Sequence, residues 1–363
     1  TAAELGAEVD ANFMSSVESF VKETKSELVI LPLRPHTRAL SREVHYIASY
    51  IDDNYRQNIH TEYVFNERIK AVEIYLNSQQ TNPVTGLHRL ATEKTSIIVG
   101  HSKQQMKTVP TGHSSLPKLI HSTGVITKAA YRDNRQGRIA NKDHVVGGLV
   151  LEINGDNFHI RTVRACEDGS FVDINRRYRA KGKPVTERAE ALVLGDYHGG
   201  YEDEQAENFA LELLEETRPK RIFFHDFFDA CSVSHHRDHS INQHLIVPDH
   251  LKKLEDELSY CRGILENWAD RKPKDCQFYM VASNHPEHLE RYLDEGRYIK
   301  DRRNYKKAVE LAYKYHCLGV NPIQEGIDPG SKLATWLTRD SDMRVEGVMV
   351  SAHGDKGVNG TRG

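Results

Sequence analysis

The chain has 363 residues, with 49 Lys plus Arg against 52 Asp plus Glu and a formal charge of −3. That balance excludes a uniformly basic polyanion binder, so any nucleic-acid surface must come from local clustering of charge. With 38% hydrophobic and 28% charged residues and no apolar run near the ~20 residues of a membrane helix, a soluble chain of two domains with no membrane partner is expected. Twenty histidines are an excess that invites metal or acid–base chemistry. Five cysteines without a Cys-x-x-Cys pair read as reduced thiols in a cytoplasmic compartment. The chain opens at Thr1 without an initiator Met and stops at Gly363, which reads as part of a longer polypeptide.

Residues 1–188 predict a mixed α+β N-terminal domain with no assignable role. Glu27 to Leu31 reads as a buried strand, and Arg42–Tyr50 and Asn66–Leu76 carry apolar residues at helical spacing. The pattern turns β-like after Ile97-Ile98-Val99. Val145 to Ala165 forms a hairpin signal around Asn154-Gly155-Asp156, and Asp168-Gly169 supplies a further turn before Phe171–Ile174. No phosphate-loop or strand-anchored Gly-x-Gly-x-x-Gly motif occurs, which argues against P-loop hydrolysis and dinucleotide binding. A basic run from Arg176 and Arg177 through Tyr178 to Lys183 suits a phosphate backbone; the bland alternative is a solvated linker.

Residues 189–363 alternate strands and helices. Strands are expected at Ala191–Leu194, Arg221–Phe224, Phe278–Ala282 and Val345–Ser351, with helices over Glu204–Glu216, Pro248–Ala269 and Asn304–Tyr315. This predicts a layered α/β domain with its function at the carboxyl ends of the strands. Each strand end carries oxygen donors or imidazoles: Asp196-Tyr197-His198, Asp226-Phe227-Phe228-Asp229, Asn284-His285 and His353. Any one of these is a weak signal, but four at consecutive strand tips point to a divalent-metal centre.

In order and strand context the tips resemble the calcineurin-like metallophosphoesterase signature: Asp-x-His, Gly-Asp-x-x-Asp, Gly-Asn-His and a late histidine. The likeness covers roughly residues 190–363. It implies an αββα sandwich holding two divalent ions, manganese first and magnesium as the alternative. Asp196 and His198 would bind one ion, Asp226 would bridge both, and Asn284 and His353 would complete the second. His285 would be the catalytic histidine outside the coordination sphere, oriented by Asp229. The chemistry asks for these types on its own terms. Cations must neutralise a phosphodiester and activate a water, a carboxylate can span two ions, and a leaving oxygen needs a proton donor held by a carboxylate.

The sequence departs from that pattern. His225 and Ser283 stand where glycine is usual, and Pro286 replaces an acidic residue. No Gly-His-x-His follows His353, which fits a domain cut short of its last ligands. Gly100-His101 and Gly112-His113 come too early in the order and read as loop residues.

The loop after Asp229 brings His235, His236 and Arg237, and Arg297 to Lys307 brings Arg302 and Arg303 among aromatic rings. Two such stretches flanking one site favour a long polyanion, and the Asp-Phe-Phe-Asp tip resembles the DNA-repair-nuclease branch. A metal-dependent deoxyribonuclease with DNA as partner is the first expectation, with room for self-association. A phosphatase or small-nucleotide phosphodiesterase, or a non-catalytic DNA-binding protein with a degenerate metal site, are the alternatives.

Overall fold

The fold is taken from a computed structural model that describes residues 1–4, 6–33, 53–91, 94–112, 118–235, 247–285 and 287–354. It separates into two compact units, Thr1–Glu187 and Arg188–Gly363. The helix expected over Arg42–Tyr50 lies outside the described residues.

In the N-terminal unit β1 (Ala2–Glu4) pairs parallel with β2 (Leu31–Leu33). Between them α1 (Ala11–Thr24) is capped by Asp10, whose carboxylate accepts the Phe13 N–H at 2.9 Å. Its buried face, Phe13, Met14 and Phe20, packs with Phe171 and Tyr178. A five-stranded sheet follows from β3 (Glu62–Asn66), β4 (Ile69–Val72), β5 (Ser96–Val99), β6 (Met106–Val109) and β7 (Lys118–Ser122), ordered β3-β4-β5-β7-β6.

The helix expected over Asn66–Leu76 is therefore a strand. Asn66 Oδ1 accepts the N–H groups of Arg68 and Ile69 and turns the chain back, so β3 and β4 pair antiparallel. Once paired, Ile69 and Ala71 are buried with period two.

After α2 (Arg135–Asp143), the expected hairpin is formed by β8 (Gly147–Asn154) and β9 (Asn157–Arg164), with Gly155 at φ 59° in the turn. A small antiparallel sheet of β10 (Phe171–Asp173), β11 (Arg176–Tyr178) and β12 (Val185–Thr186) completes the unit.

The C-terminal unit is a four-stranded parallel sheet, in order β13 (Leu192–Asp196), β14 (Arg221–His225), β15 (Gln277–Met280) and β16 (Ala334–Trp336). The crossovers carry α3 (Glu204–Thr217), α4 (Leu254–Arg271), α5 (Glu287–Asp294), α6 (Tyr305–Leu318) and α7 (Pro322–Ile327). Strand alternation divides the two faces. Ile222, Phe224, Phe278 and Met280 enter one core with Leu214, Leu258, Leu265 and Trp268 of the helices. Phe223 faces the other way, into a smaller cluster with Val281, Val345 and Val350.

Two expectations change here. Val345–Ser351 is not the fourth parallel strand. Glu346 and Gly347 take φ 49° and 79°, which folds the segment into a hairpin of β17 (Arg344–Val345) and β18 (Val348–Met349). The fourth strand is Ala334–Trp336. Among the described residues the sheet has helices on one face and this hairpin beside the other, a mixed α/β arrangement that accounts for one sheet and one helix layer of the expected αββα sandwich.

Candidate metal centre

Parallel strands end together, and here their ends are stitched beyond the sheet. The N–H groups of Tyr197, His198 and Gly199 donate to the carbonyls of His225, Asp226 and Phe227 at 2.9–3.0 Å. The first tip is thereby laid along the second. The turn tolerates no side chain at Gly200, where φ is +96° and a Cβ would lie 2.5 Å from Leu251. His198, Asp226 and Ala230 are non-glycine residues at φ 48°, 42° and 57°. A left-handed conformation costs each roughly 1–2 kcal/mol, and such outliers cluster where a site over-determines the backbone.

Among the described residues three groups of side chains could each hold a metal ion, with ligand atoms within 4.8 Å of one another in each: Asp229, Cys231 and Glu257, and two that share a residue, Asp196, Asp226 and His353, and His198, Asp226 and His285. Asp226 is the shared residue. It is buried, its Oδ2 lies 3.0 Å from His353 Nε2 and 4.0 Å from His198 Nε2, and its Oδ1 has no hydrogen-bond partner. A buried carboxylate oxygen left unpaired is costly. With imidazole and carboxylate donors around it, the donor set fits a divalent cation. His353 Nδ1, also buried without a partner, sits 3.8 Å from Asp196 Oδ1.

Asp229 organises the opposite side. Its Oδ1 lies 2.8 Å from His198 Nδ1 and 3.1 Å from His285 Nδ1, and the Cys231 thiol donates to Oδ2. The two imidazoles meet edge to face at 4.8 Å. Burial alone would raise the Asp229 carboxyl, but the hydrogen bonds from His198, His285 and Cys231 outweigh it and hold it far below the carboxylate range. Reciprocally, the bond to Asp229 raises both His198 and His285.

Behind Asp229 lies Glu257 of α4, whose carboxylate accepts the N–H groups of Cys231 and Ser232 at 2.8 and 2.9 Å. Burial pushes Glu257 up to about 7. Glu257 was not foreseen, although a glutamate among the apolar positions Leu254, Leu258 and Cys261 of one helix face was the available signal. His288 was missed as well; its ring stands 5.9 Å from His285 and 5.1 Å from His235.

The structure brings Asp196, His198, Asp226, Asp229, His285 and His353 to one place. His285, expected outside the coordination sphere, joins one ligand group as well as bonding to Asp229. His353 arrives from beyond the hairpin rather than from a parallel strand tip. Asn284 is exposed on the loop after β15, and His235 reaches the neighbourhood through His288; His236 and Arg237 lie outside the described residues. Arg302 and Arg303 are exposed ahead of α6, and Arg303 lines a cleft with Ser232 and Ser234 of the loop that follows Asp229.

The Arg176–Lys183 run is not a linker. Arg176 and Arg177 belong to β11 and are occupied within the N-terminal unit. Arg177 pairs with both oxygens of Glu187 and donates to Ser170 Oγ, and Arg176 pairs with Glu23. The fold thus gives these two arginines carboxylate partners, while Arg179, Lys181 and Lys183 of the same run stay exposed.

No helix among the described residues is long and apolar enough to cross a membrane. No family model matches the chain, and no solved structure matches it. Among curated proteins it is similar to Protein A1 of Escherichia phage T5, 26% identical over 387 aligned positions that cover 97% of this chain and 67% of that protein. The similarity ties the chain to T5-like phage proteins, at a distance that leaves the calcineurin-like family itself unmatched.

Proposed function

We propose that the C-terminal unit is a metal-dependent phosphodiesterase that hydrolyses DNA, in a phage-encoded chain acting in the host cytoplasm. The reading is carried by Asp226, a buried carboxylate with an unpaired oxygen, shared by two ligand groups at the carboxyl ends of parallel strands. The similarity to a T5 phage protein supports it, as does the resemblance of the whole sequence to the pre-early DNase of T-five-like coliphages.

Asp196, Asp226 and His353, and Asp226 with His198, would hold two ions, manganese before magnesium, with Asn284 beside the second. When bound, the ions neutralise phosphate charge and ease ionisation of the attacking water. The chain's own residues do the rest. Asp229 keeps Nδ1 of His198 and His285 engaged, which fixes both rings and directs Nε2 of each to the reaction side. His285, its protonated form favoured by Asp229, donates a proton to the leaving oxygen. Arg302 and Arg303 contact neighbouring phosphates, and a steep salt dependence of DNA binding would follow.

The test is incubation of the protein with linear and circular DNA in manganese, magnesium or EDTA. Manganese-dependent cleavage supports the reading. Intact DNA together with hydrolysis of a p-nitrophenyl phosphomonoester would replace it with a phosphatase, and intact DNA with no bound metal would leave a DNA-binding protein.

A further inference from the structure

A cavity of about 300 Å³ opens at the carboxyl ends of β15 and β16, where Met280 through Ser283 and Trp336 through Thr338 form its walls. Ligands of open α/β sheets bind in this position. The cavity begins one residue before Asn284-His285, so whatever fills it lies against the loop that delivers the proposed proton donor.

The lining is flat and apolar on one side and polar on the other, where neutral groups stand beside Glu287, Glu290 and Arg339. Trp336 is half-buried, and its indole N–H donates to Asp328 Oδ2 at 3.4 Å, which anchors the ring. Leu337 and Met280 extend that surface. Ser283 is 3% exposed, and its hydroxyl oxygen is buried without a hydrogen-bond partner. A hydroxyl in that state favours a ligand group that can bond to it. Gln324 uses its amide nitrogen on Ser331 Oγ at 2.7 Å, which leaves its carbonyl oxygen for another donor. Burial, and then the charge of Glu287, raises the carboxyl of Glu290. Among the described lining residues Arg339 is the single cation, and it pairs with Glu287 at 2.8 Å. Two carboxylates against one paired cation repel a phosphate; an aromatic wall edged with neutral donors and acceptors suits a heterocycle.

We propose that this cavity receives a nucleobase of the substrate, stacked on Trp336 and read by Ser283, Gln324 and Glu290, so that one nucleotide is held unstacked beside the scissile phosphate. The assignment rests on the phosphodiesterase reading for its substrate class, but its test does not need catalysis. Equilibrium dialysis with thymidine and with adenosine, in EDTA, measures whether a base without a phosphate binds.

Saturable binding that quenches tryptophan fluorescence is expected, since Trp268 is fully buried and Trp336 is not. Thr338→Phe fills the cavity from an exposed position and should weaken binding by about 5–150-fold, the range of base–aromatic stacking. Gln324→Ala should change the ranking of the two nucleosides. In manganese, the wild type should prefer the p-nitrophenyl ester of thymidine 5′-phosphate over methyl p-nitrophenyl phosphate. Thr338→Phe should erase that preference. Absence of saturable nucleoside binding by the wild type, or binding unchanged in both variants, overturns the proposal. Nucleoside binding without manganese-dependent cleavage would instead sink the phosphodiesterase reading and leave the base site standing.

Discussion

In the N-terminal unit His101 and His121 are buried and His144 half-buried, and all three are bonded to backbone carbonyls: His101 Nε2 to Asn77 at 3.0 Å, His121 Nδ1 to Ser122 at 2.8 Å and His144 Nε2 to Thr127 at 2.9 Å. Burial lowers all three below the ordinary histidine value. In the C-terminal unit His198 and His285 are also partly buried, yet the bond to Asp229 raises both. A carbonyl dipole satisfies a neutral imidazole; a carboxylate stabilises a charged one. One residue type is thus held neutral at the three N-terminal positions and toward its charged form at His198 and His285, and the Asp229 carboxylate makes the difference.

The comparison breaks most visibly at Asp226. Asp226→Asn should abolish manganese-dependent hydrolysis and release the bound metal, because an amide lacks the charge that two ligand groups share. Metal content after dialysis, measured beside the rate, checks it. Full activity in this variant would end the metal-centre reading. The next effect is at His285. His285→Ala should lose on the order of 10²–10⁴ in rate, the usual contribution of a general acid, and keep its manganese. Because His285 also stands in one ligand group, loss of metal in step with rate would make it a ligand and remove it from the proton-donor role. Smaller still, Asp229→Asn should weaken manganese binding by roughly 10–100-fold, as removal of a partner behind a ligand does. It should also let His198 and His285 titrate nearer the N-terminal histidines. Two-dimensional NMR of the imidazoles in EDTA reads the second effect directly.

Much of this centre was legible because strand tips are short and chemistry-bearing residues stand next to the apolar runs that mark the strands. Leu192–Leu194 announces Asp196 and His198, and Ile222–Phe224 announces Asp226 and Asp229. What was not legible depends on contacts between distant segments. Glu257 sits in a helix pattern that reads as amphipathic, and only the fold shows it bonding the Cys231–Ser232 turn. His288 is placed by α5 three residues beyond His285. The Ala334–Trp336 strand has three residues and one buried position, too few for periodicity to speak. Val345–Ser351 alternates like a strand but hides a Glu-Gly turn, and Arg177 looks like a phosphate contact until Glu187 is seen beside it.

The smallest expected effect lies in stability, and it has opposite signs for the N-terminal histidines and for the pair bonded to Asp229; His225, lowered by burial at the end of β14, goes with the former. The N-terminal histidines have folded pKa values below the unfolded 6.5, so their contribution is complete above that pH. As pH falls below 6.5 the unfolded chain takes up protons that the folded unit refuses, and stability is lost. His198 and His285 have raised folded values, so in metal-free protein their contribution is complete below 6.5 and is lost as pH rises through the folded values. Amide hydrogen exchange in EDTA, corrected for intrinsic rates, separates the units. As pH falls from 7.5 to 5.5, protection should fall in β5 and β7, which carry or adjoin His121 and His101, and should rise at the amides of Tyr197 to Gly199, which are bonded around His198. His121→Gln should flatten the first trend without altering manganese binding, since no carboxylate is bonded to that ring. Parallel trends in the two sets of amides would mean that the carboxylate at Asp229 does not set the difference, and the division between neutral and charged histidines would have to be drawn elsewhere.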